Sequence, residues 1–288
     1  MPELPEVEVV KQSLEKYVLN KRILKIVVKN KNLRYPVPEN LSERLANIKI
    51  QKVRRISKYL VLEFKDELFL LIHLGMSGTL HLIRGKNNFK NTNLSFYHSK
   101  NLPEKHNHIF LNFYNFTIIF NDPRRFGFFK LIIGRTNFVN YFKSLGPDPF
   151  EKNFNFKYVK EYLYKKNKNI KNTLIDQKFV SGIGNIYASE ILNYSKINPL
   201  KTSGNLKNNE INKIIFYTKK VLNLSIKKGG TTINNFQSVK GNKGSYQKEF
   251  RAYNQESKRC KNSLCLGTII KVNLSNRSTY MCNICQKK

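Results

Sequence analysis

The stretch Ser144-Leu145-Gly146-Pro147-Asp148-Pro149 decides how the chain divides, because it is punctuated by prolines and a glycine and the hydrophobic period differs on its two sides. On the N-terminal side the pattern is that of strands. Leu60-Val61-Leu62-Glu63-Phe64, Phe69-Leu70-Leu71-Ile72, Ile109-Phe110-Leu111-Asn112-Phe113 and Thr117-Ile118-Ile119-Phe120 are short runs rich in β-branched, leucine and aromatic residues. Lys65-Asp66-Glu67 and Tyr114-Asn115 read as the turns within two pairs. Successive strands without intervening helices predict a sandwich or a barrel. The start of the chain differs: Val7, Val10, Leu14, Tyr17 and Val18 recur at helical spacing and predict one helix with a buried face, with Pro5 in its first turn. On the C-terminal side the spacing predicts helices over 158–164, 170–176 and 185–194. A fourth is marked by Ile211, Ile214, Ile215, Thr218, Leu222 and Ser225 and stopped by Gly229-Gly230. The polar stretch 86–101 predicts a loop.

Charge narrows the function. Lys and Arg total 52 against 19 Asp and Glu, a net charge of +33 over 288 residues. Such an excess draws polyanions and releases counterions from a phosphate backbone. No apolar run approaches the ~20 residues of a membrane span, and no basic amphipathic helix, lipidation signal or secretory leader stands out. The reading is therefore a nucleic-acid partner, no membrane, and a cytoplasmic location.

All four cysteines lie in the last 29 residues, as Cys260-x4-Cys265-x16-Cys282-x2-Cys285. In an intracellular protein two close pairs argue for a metal rather than disulfides, and four thiolates suit one structural, tetrahedral Zn2+. Between the pairs, 268–274 and 277–281 read as two strands around Ser275-Asn276, which places Arg277 at a hairpin tip, where a guanidinium suits a phosphate.

Several other segments carry chemistry. With Met1 removed, Pro2 would present a secondary amine beside the carboxyl of Glu3, the parts needed to attack a sugar carbon and form a Schiff base. The positive end of the first helix disfavours a proton on that amine, and an ionised Glu3 acts in the opposite sense. Gly75-Met76-Ser77-Gly78 reads either as a turn with a core methionine or as an apolar wedge on a bare loop. Asp122-Pro123-Arg124-Arg125-Phe126-Gly127 offers a second wedge, with Arg124 and Phe126 on the same side of an extended segment. Together they would fill the gap left by a nucleotide that leaves the helix. Gly182-Ile183-Gly184-Asn185 precedes a helix and suits close approach to a phosphate. Lys58 falls on an expected strand after Arg54-Arg55, and His106 and His108 flank Asn107.

Pro2-Glu3-Leu4-Pro5-Glu6-Val7-Glu8, His73-Leu74-Gly75-Met76-Ser77-Gly78, Asp122 to Gly127, Gly184-Asn185-Ile186-Tyr187-Ala188-Ser189-Glu190, Gly229-Gly230-Thr231-Thr232 and the cysteines, in this order along nearly the whole chain, resemble bacterial formamidopyrimidine-DNA glycosylase. The resemblance implies an α+β protein of two lobes. An N-terminal β-sandwich with its N-terminal helix would face a helix–two-turn–helix domain with a zinc-ribbon finger, DNA lying in the cleft. The expected divisions are 1–133 (catalytic), 134–150 (linker), 151–230 (helix–two-turn–helix) and 231–288 (a loop over the damaged base, then the finger).

The same resemblance implies the roles. Pro2 attacks the anomeric carbon of an oxidised purine nucleotide in double-stranded DNA, and Glu3 serves as proton donor. Lys58 is a phosphate contact and the proton donor of β-elimination, and Arg277 serves δ-elimination. His106, Arg124, Lys166 and Asn185 contact DNA, while Met76, Arg124 and Phe126 fill the gap. A monomer associated with the bacterial nucleoid, needing no cofactor but zinc, follows. Three departures stand out: the first cysteine pair has four intervening residues where the family has two, Ser245-Tyr246 departs within 239–247, and the sequence retains Met1, which leaves the Pro2 nitrogen an amide until it is removed. The alternatives are an endonuclease-eight-like enzyme for oxidised pyrimidines, which shares the Pro2-Glu3 chemistry, and a non-catalytic zinc-dependent nucleic-acid binder.

Overall fold

The computed structural model describes residues 2–84, 94–95, 104–231 and 244–287. Met1, most of the expected loop 86–101, and Gly241 in the stretch 239–247 lie outside the described residues. The chain forms two compact units: 1–143 with 228–245, and 144–227 with 246–288.

In the first unit, α1 (Leu4–Val18) is followed by β1 (Lys25–Val28), α2 (Leu41–Leu45), β2 (Lys52–Ile56), β3 (Tyr59–Glu63), β4 (Leu68–His73), β5 (Thr79–Ile83), β6 (Leu94–Ser95), β7 (Asn107–Asn112), β8 (Thr117–Asn121), β9 (Phe128–Ile133) and α3 (Arg135–Phe142). The strands make two antiparallel sheets, ordered β1-β7-β8-β5-β6 and β2-β3-β4-β9. One apolar core joins Leu60, Leu62, Leu70 and Ile72 of the second sheet to Leu80, Ile109, Ile118 and Phe120 of the first. Val7, Val10, Leu14 and Val18 of α1 belong to the same core, and Tyr17 packs half-buried beside it. The expected sandwich and amphipathic helix are therefore present.

The second sheet is buried on both faces. Strand alternation sends Val61, Phe69 and Leu71 to the side opposite Leu60, Leu62 and Leu70. There Phe138 of α3 covers them, its ring stacked on Phe69 at 4.1 Å. This is why 135–142 is a helix where a linker was expected, and why the first unit runs on to residue 143. The described residues 228–231, 244 and 245 also group with this unit rather than with the finger. Among them, Thr231 donates to Glu6 of α1 through both N–H (2.9 Å) and hydroxyl (3.0 Å).

The second unit contains α4 (Phe156–Leu163), α5 (Ile170–Ile175), α6 (Asn185–Ser195), α7 (Asn208–Lys227) and the hairpin β10 (Ile269–Leu274) and β11 (Arg277–Cys282). Asn155 and Asn169 cap α4 and α5 by accepting from Tyr158 and Asn172 N–H. Residues 186–193 of α6 are buried throughout, so this helix is the axis of the unit.

Candidate active site and nucleic-acid surface

At the chain start, Pro2 and Glu3 are buried immediately ahead of α1. Glu3 is the N-cap, and its backbone N–H donates to Glu6 Oε2 at 3.0 Å in a reciprocal capping box. The other Glu6 oxygen takes the two Thr231 donors. Gly230 permits this contact, since a Cβ there would lie 3.2 Å from Glu6 Oε1. One buried carboxylate thus links Glu3, the residue that follows Pro2, to a segment more than 200 positions away.

Lys58 is the second residue of the two-residue β2–β3 turn rather than a strand residue, and it is 7 % exposed. Its charge is felt by His73, whose pKa is held down to about 4 by burial first, then by Lys58 and Arg34. His73 is therefore a neutral ring near neutral pH, its Nδ1 accepting from Gly75 N–H at 3.0 Å. Sequence reasoning missed His73 and Arg34 as members of this neighbourhood. His73 opens the glycine-bracketed motif, so a signal existed; Arg34 is one of 52 basic residues and had none.

The two wedge segments are built against each other. Asp122, wholly buried, accepts from the Ser77 hydroxyl at 2.5 Å, from Gly127 N–H at 2.7 Å and from Arg124 N–H at 3.3 Å. Gly75 has φ +64°, and a Cβ there would lie 2.4 Å from the Phe126–Gly127 backbone. Only glycine allows the loops to touch in this way. Met76 is 41 % exposed and Phe126 40 %, which excludes the core reading of Met76. Arg124 lies over the Phe126 ring at 4.9 Å. Met76, Arg124 and Phe126 share one depression of about 750 Å³ with Arg34, His73 and Arg125. His106, partly exposed, ends a short 3-10 turn whose carbonyl accepts from Asp122 N–H. Its pKa is lowered by slight burial and by Lys105 and His108, against the pull of Asp122. His108 is structural: its Nε2 bonds the Asp122 carbonyl at 2.8 Å.

In the second unit Arg277 is exposed at the start of β11, directly after the turn Ser275-Asn276, where both residues have positive φ (49° and 59°). The turn is held from beneath. Lys171, 1 % exposed, donates to Thr279 Oγ1 at 2.6 Å and the Ser278 carbonyl at 3.3 Å; Asn185 Nδ2 donates to that carbonyl at 3.0 Å. The Asn185 side-chain amide is thus engaged inside the unit. Lys166 is exposed, its ammonium 5.1 Å from the centre of the Tyr162 ring.

The four cysteine sulfurs lie within 4.8 Å of one another, with Cys260–Cys285 at 3.7 Å and Cys265–Cys282 at 3.5 Å. A tetrahedron with metal–sulfur bonds of about 2.3 Å has edges of ~3.8 Å, so the set fits one ion. The wide first knuckle does not disturb it: Asn262 turns inward and donates to the Asn193 carbonyl (3.1 Å) and Cys285 Sγ (3.1 Å). Backbone N–H groups of Asn262, Gly267 and Ile284 point at three of the sulfurs.

The chain as a whole is similar to known proteins. The sequence model of the formamidopyrimidine-DNA glycosylase N-terminal domain matches residues 1–129, and that of the formamidopyrimidine-DNA glycosylase H2TH domain matches 145–237. The chain belongs to the formamidopyrimidine-DNA glycosylase family. It is 36 % identical to the formamidopyrimidine-DNA glycosylase of the Wolbachia strain from Brugia malayi, covering 99 % of this chain and all of that one. It is 37 % identical to that of Rickettsia bellii over the full length of both. Among solved structures, Lactococcus lactis Fpg in complex with DNA containing an abasic site superposes with a TM-score of 0.87 at 32 % identity, covering 99 % of this chain and 100 % of that one. A complex of MutM with DNA containing carbocyclic 8-oxo-G gives 0.86 at 32 % identity, with full coverage of both. The glycosylase fold therefore extends over the whole chain, the cysteine cluster included.

Proposed function

We propose that this glycosylase excises oxidised purines, 8-oxoguanine and formamidopyrimidines, from double-stranded DNA and then nicks the abasic site by β,δ-elimination, acting as a monomer. The observation that carries the reading is the clamped chain start, where Glu6 fixes Glu3 and, through it, the position of the Pro2 nitrogen. With Met1 removed, that nitrogen attacks the anomeric carbon and displaces the base, while Glu3 supplies a proton to the sugar. The resulting imine acidifies the neighbouring sugar proton. Lys58, close enough to His73 to lower its pKa, serves β-elimination and holds a phosphate; Arg277 serves δ-elimination. Met76, Arg124 and Phe126 enter the gap left by the flipped nucleotide, an extrusion costing a few kcal/mol. His106, Lys166 and Asn185 lie along the DNA backbone. One structural Zn2+ held by Cys260, Cys265, Cys282 and Cys285 stabilises the finger that presents Arg277, and the enzyme works on chromosomal DNA in the bacterial cytoplasm.

Borohydride trapping tests the nucleophile. Processed protein should give a covalent adduct with a duplex carrying 8-oxoguanine opposite cytosine. Protein with an extra residue ahead of Pro2, whose nitrogen is an amide, should give none; equal trapping would refute the assignment. A parallel duplex with thymine glycol separates purine from pyrimidine preference: faster excision there would favour the endonuclease-eight-like reading.

A further inference from the structure

Lys58 sits on a turn whose backbone needs support. Ser57, at its first position, has φ +53°, a left-handed conformation for which this type of turn normally uses glycine. Ser57 is 3 % exposed, so the turn is not free to relax into solvent. Arg55 braces it. Its Nη1 donates to the Ser57 carbonyl at 3.1 Å, and its Nε donates to Glu8 Oε2 at 2.8 Å. The Arg55 side chain is 8 % exposed and that of Glu8 19 %. An exposed pair would contribute little; this one is largely withdrawn from water. The guanidinium is planar and rigid, so its two engaged nitrogens fix the Ser57 carbonyl relative to the Glu8 carboxylate. Glu8 stands on α1, the helix that begins directly after Pro2 and Glu3. A single side chain therefore ties the helix behind the nucleophile to the turn that carries Lys58.

We propose that the Glu8–Arg55 pair is a positioning device for Lys58, holding its ammonium in register with the Pro2 nitrogen for the elimination step. The inference rests on the reading that Pro2 forms the imine and Lys58 serves β-elimination. On this reading Glu8 and Arg55 act through Lys58 and not on the sugar.

The test uses full-length processed protein, a duplex with a preformed abasic site, and two readouts from each mixture: the yield of borohydride-trapped imine and the single-turnover rate of strand scission. Arg55→Gln should slow scission ~10- to 100-fold, the scale of an ångström-sized misplacement, with imine yield within about twofold of the parent. Arg55→Lys, which keeps the charge but not the fork, should recover only part of the rate. The effect should vanish in a Lys58→Ala background, because a residue acting through Lys58 has nothing left to position. If Arg55→Gln multiplies fully with Lys58→Ala, or lowers imine and scission together, the pair is general scaffolding and the proposal is overturned while the role of Lys58 stands. If Lys58→Ala itself leaves scission unchanged, the reading of Lys58 falls and the proposal with it. Should Arg55→Gln fail to fold, Glu8→Gln gives the same comparison with size and one acceptor retained.

Discussion

The loops bearing Met76, Arg124 and Phe126 stand on a continuous apolar core, whereas the finger bearing Arg277 stands on thiols and buried polar bonds. Under the first lie paired sheets and a helix, with Leu60, Leu70, Ile109 and Phe120 wholly or almost wholly buried. The finger has a small cluster, Ala252, Cys260, Ile269, Tyr280 and Cys282, of which two members are themselves metal-type ligands. Its attachment to α5 and α6 combines ring packing, Tyr187 on Tyr246 and Arg251 over Tyr194, with polar anchors: Lys171 and Asn185 under the hairpin turn, Glu190 under 251–253, and Asn193 with Gln286 beside the cysteines. Apolar burial is tolerant of detail, at roughly 25 cal/mol per Å² wherever it occurs. Buried polar anchors are directional, and leaving a partner unpaired costs the full desolvation of that group. The unit that carries Pro2 thus rests on burial that tolerates detail, and the finger that carries Arg277 on bonds that do not.

Metal removal probes this difference with the largest expected effect. Structural zinc in finger peptides is worth about 10–16 kcal/mol, far beyond what the finger's few buried side chains supply. Chelation should therefore abolish amide protection in β10 and β11 and abolish DNA binding, while β3 and β4 keep their protection. Loss of protection in both places, or in neither, would break the contrast.

Acid should act on the other unit. All five histidines precede Ser144. Burial holds His81 down to about 3, and burial with Lys58 and Arg34 holds His73 down to about 4. Both are neutral when folded and take up a proton near pH 6.5 when unfolded, so their contribution is complete above 6.5 and is lost as pH falls toward 4 for His73 and toward 3 for His81. The shift is worth at most roughly 3 kcal/mol for His73 and roughly 5 kcal/mol for His81. Melting of the first unit followed by its own probes between pH 7 and 4 should show the sandwich weakening over this range, apart from any loss of metal by the finger thiolates. His81→Asn should flatten that slope.

Third in size is the carboxylate beneath the finger. Glu190 is fully buried and accepts from the N–H groups of Arg251, Ala252 and Tyr253 at 2.9, 2.9 and 2.7 Å. Burial pushes its pKa up against the pull of those donors and of Arg251. Glu190→Ala strands the donors and should cost about 2–4 kcal/mol, read as a lower melting temperature of the second unit alone.

What could be read in advance follows the same divide. The strands, α1 and the four-cysteine ribbon were legible because each has a local pattern: period two, period 3.6, paired thiols. The hairpin tip at Arg277 was legible for the same reason, a two-residue turn between strand-like runs. The polar anchors were not. Lys171 looks like any other basic residue in this chain until the fold buries it beneath Thr279. The turn carrying Lys58 read as a strand because Ser57 gives no glycine signal for its positive φ. The helix α3 has only an indirect signal: Phe69-Leu70-Leu71-Ile72 is apolar at every position, which requires a cover on both faces of the sheet.

Arg277→Ala is the smallest perturbation of the fold and the sharpest test of what the finger is for. The side chain is exposed and sits beyond the Lys171 and Asn185 bonds, which engage Ser278 and Thr279 instead. Its removal should leave melting within about 0.5 kcal/mol of the parent. Affinity for a lesion-bearing duplex should nevertheless fall, and the slope of log affinity against log salt should drop by about 1, the signature of one lost phosphate contact. A fall in affinity with an unchanged salt slope would mean that the guanidinium acts by shaping the hairpin. The polar bonds beneath it would then have a role in folding but none in presenting charge to DNA.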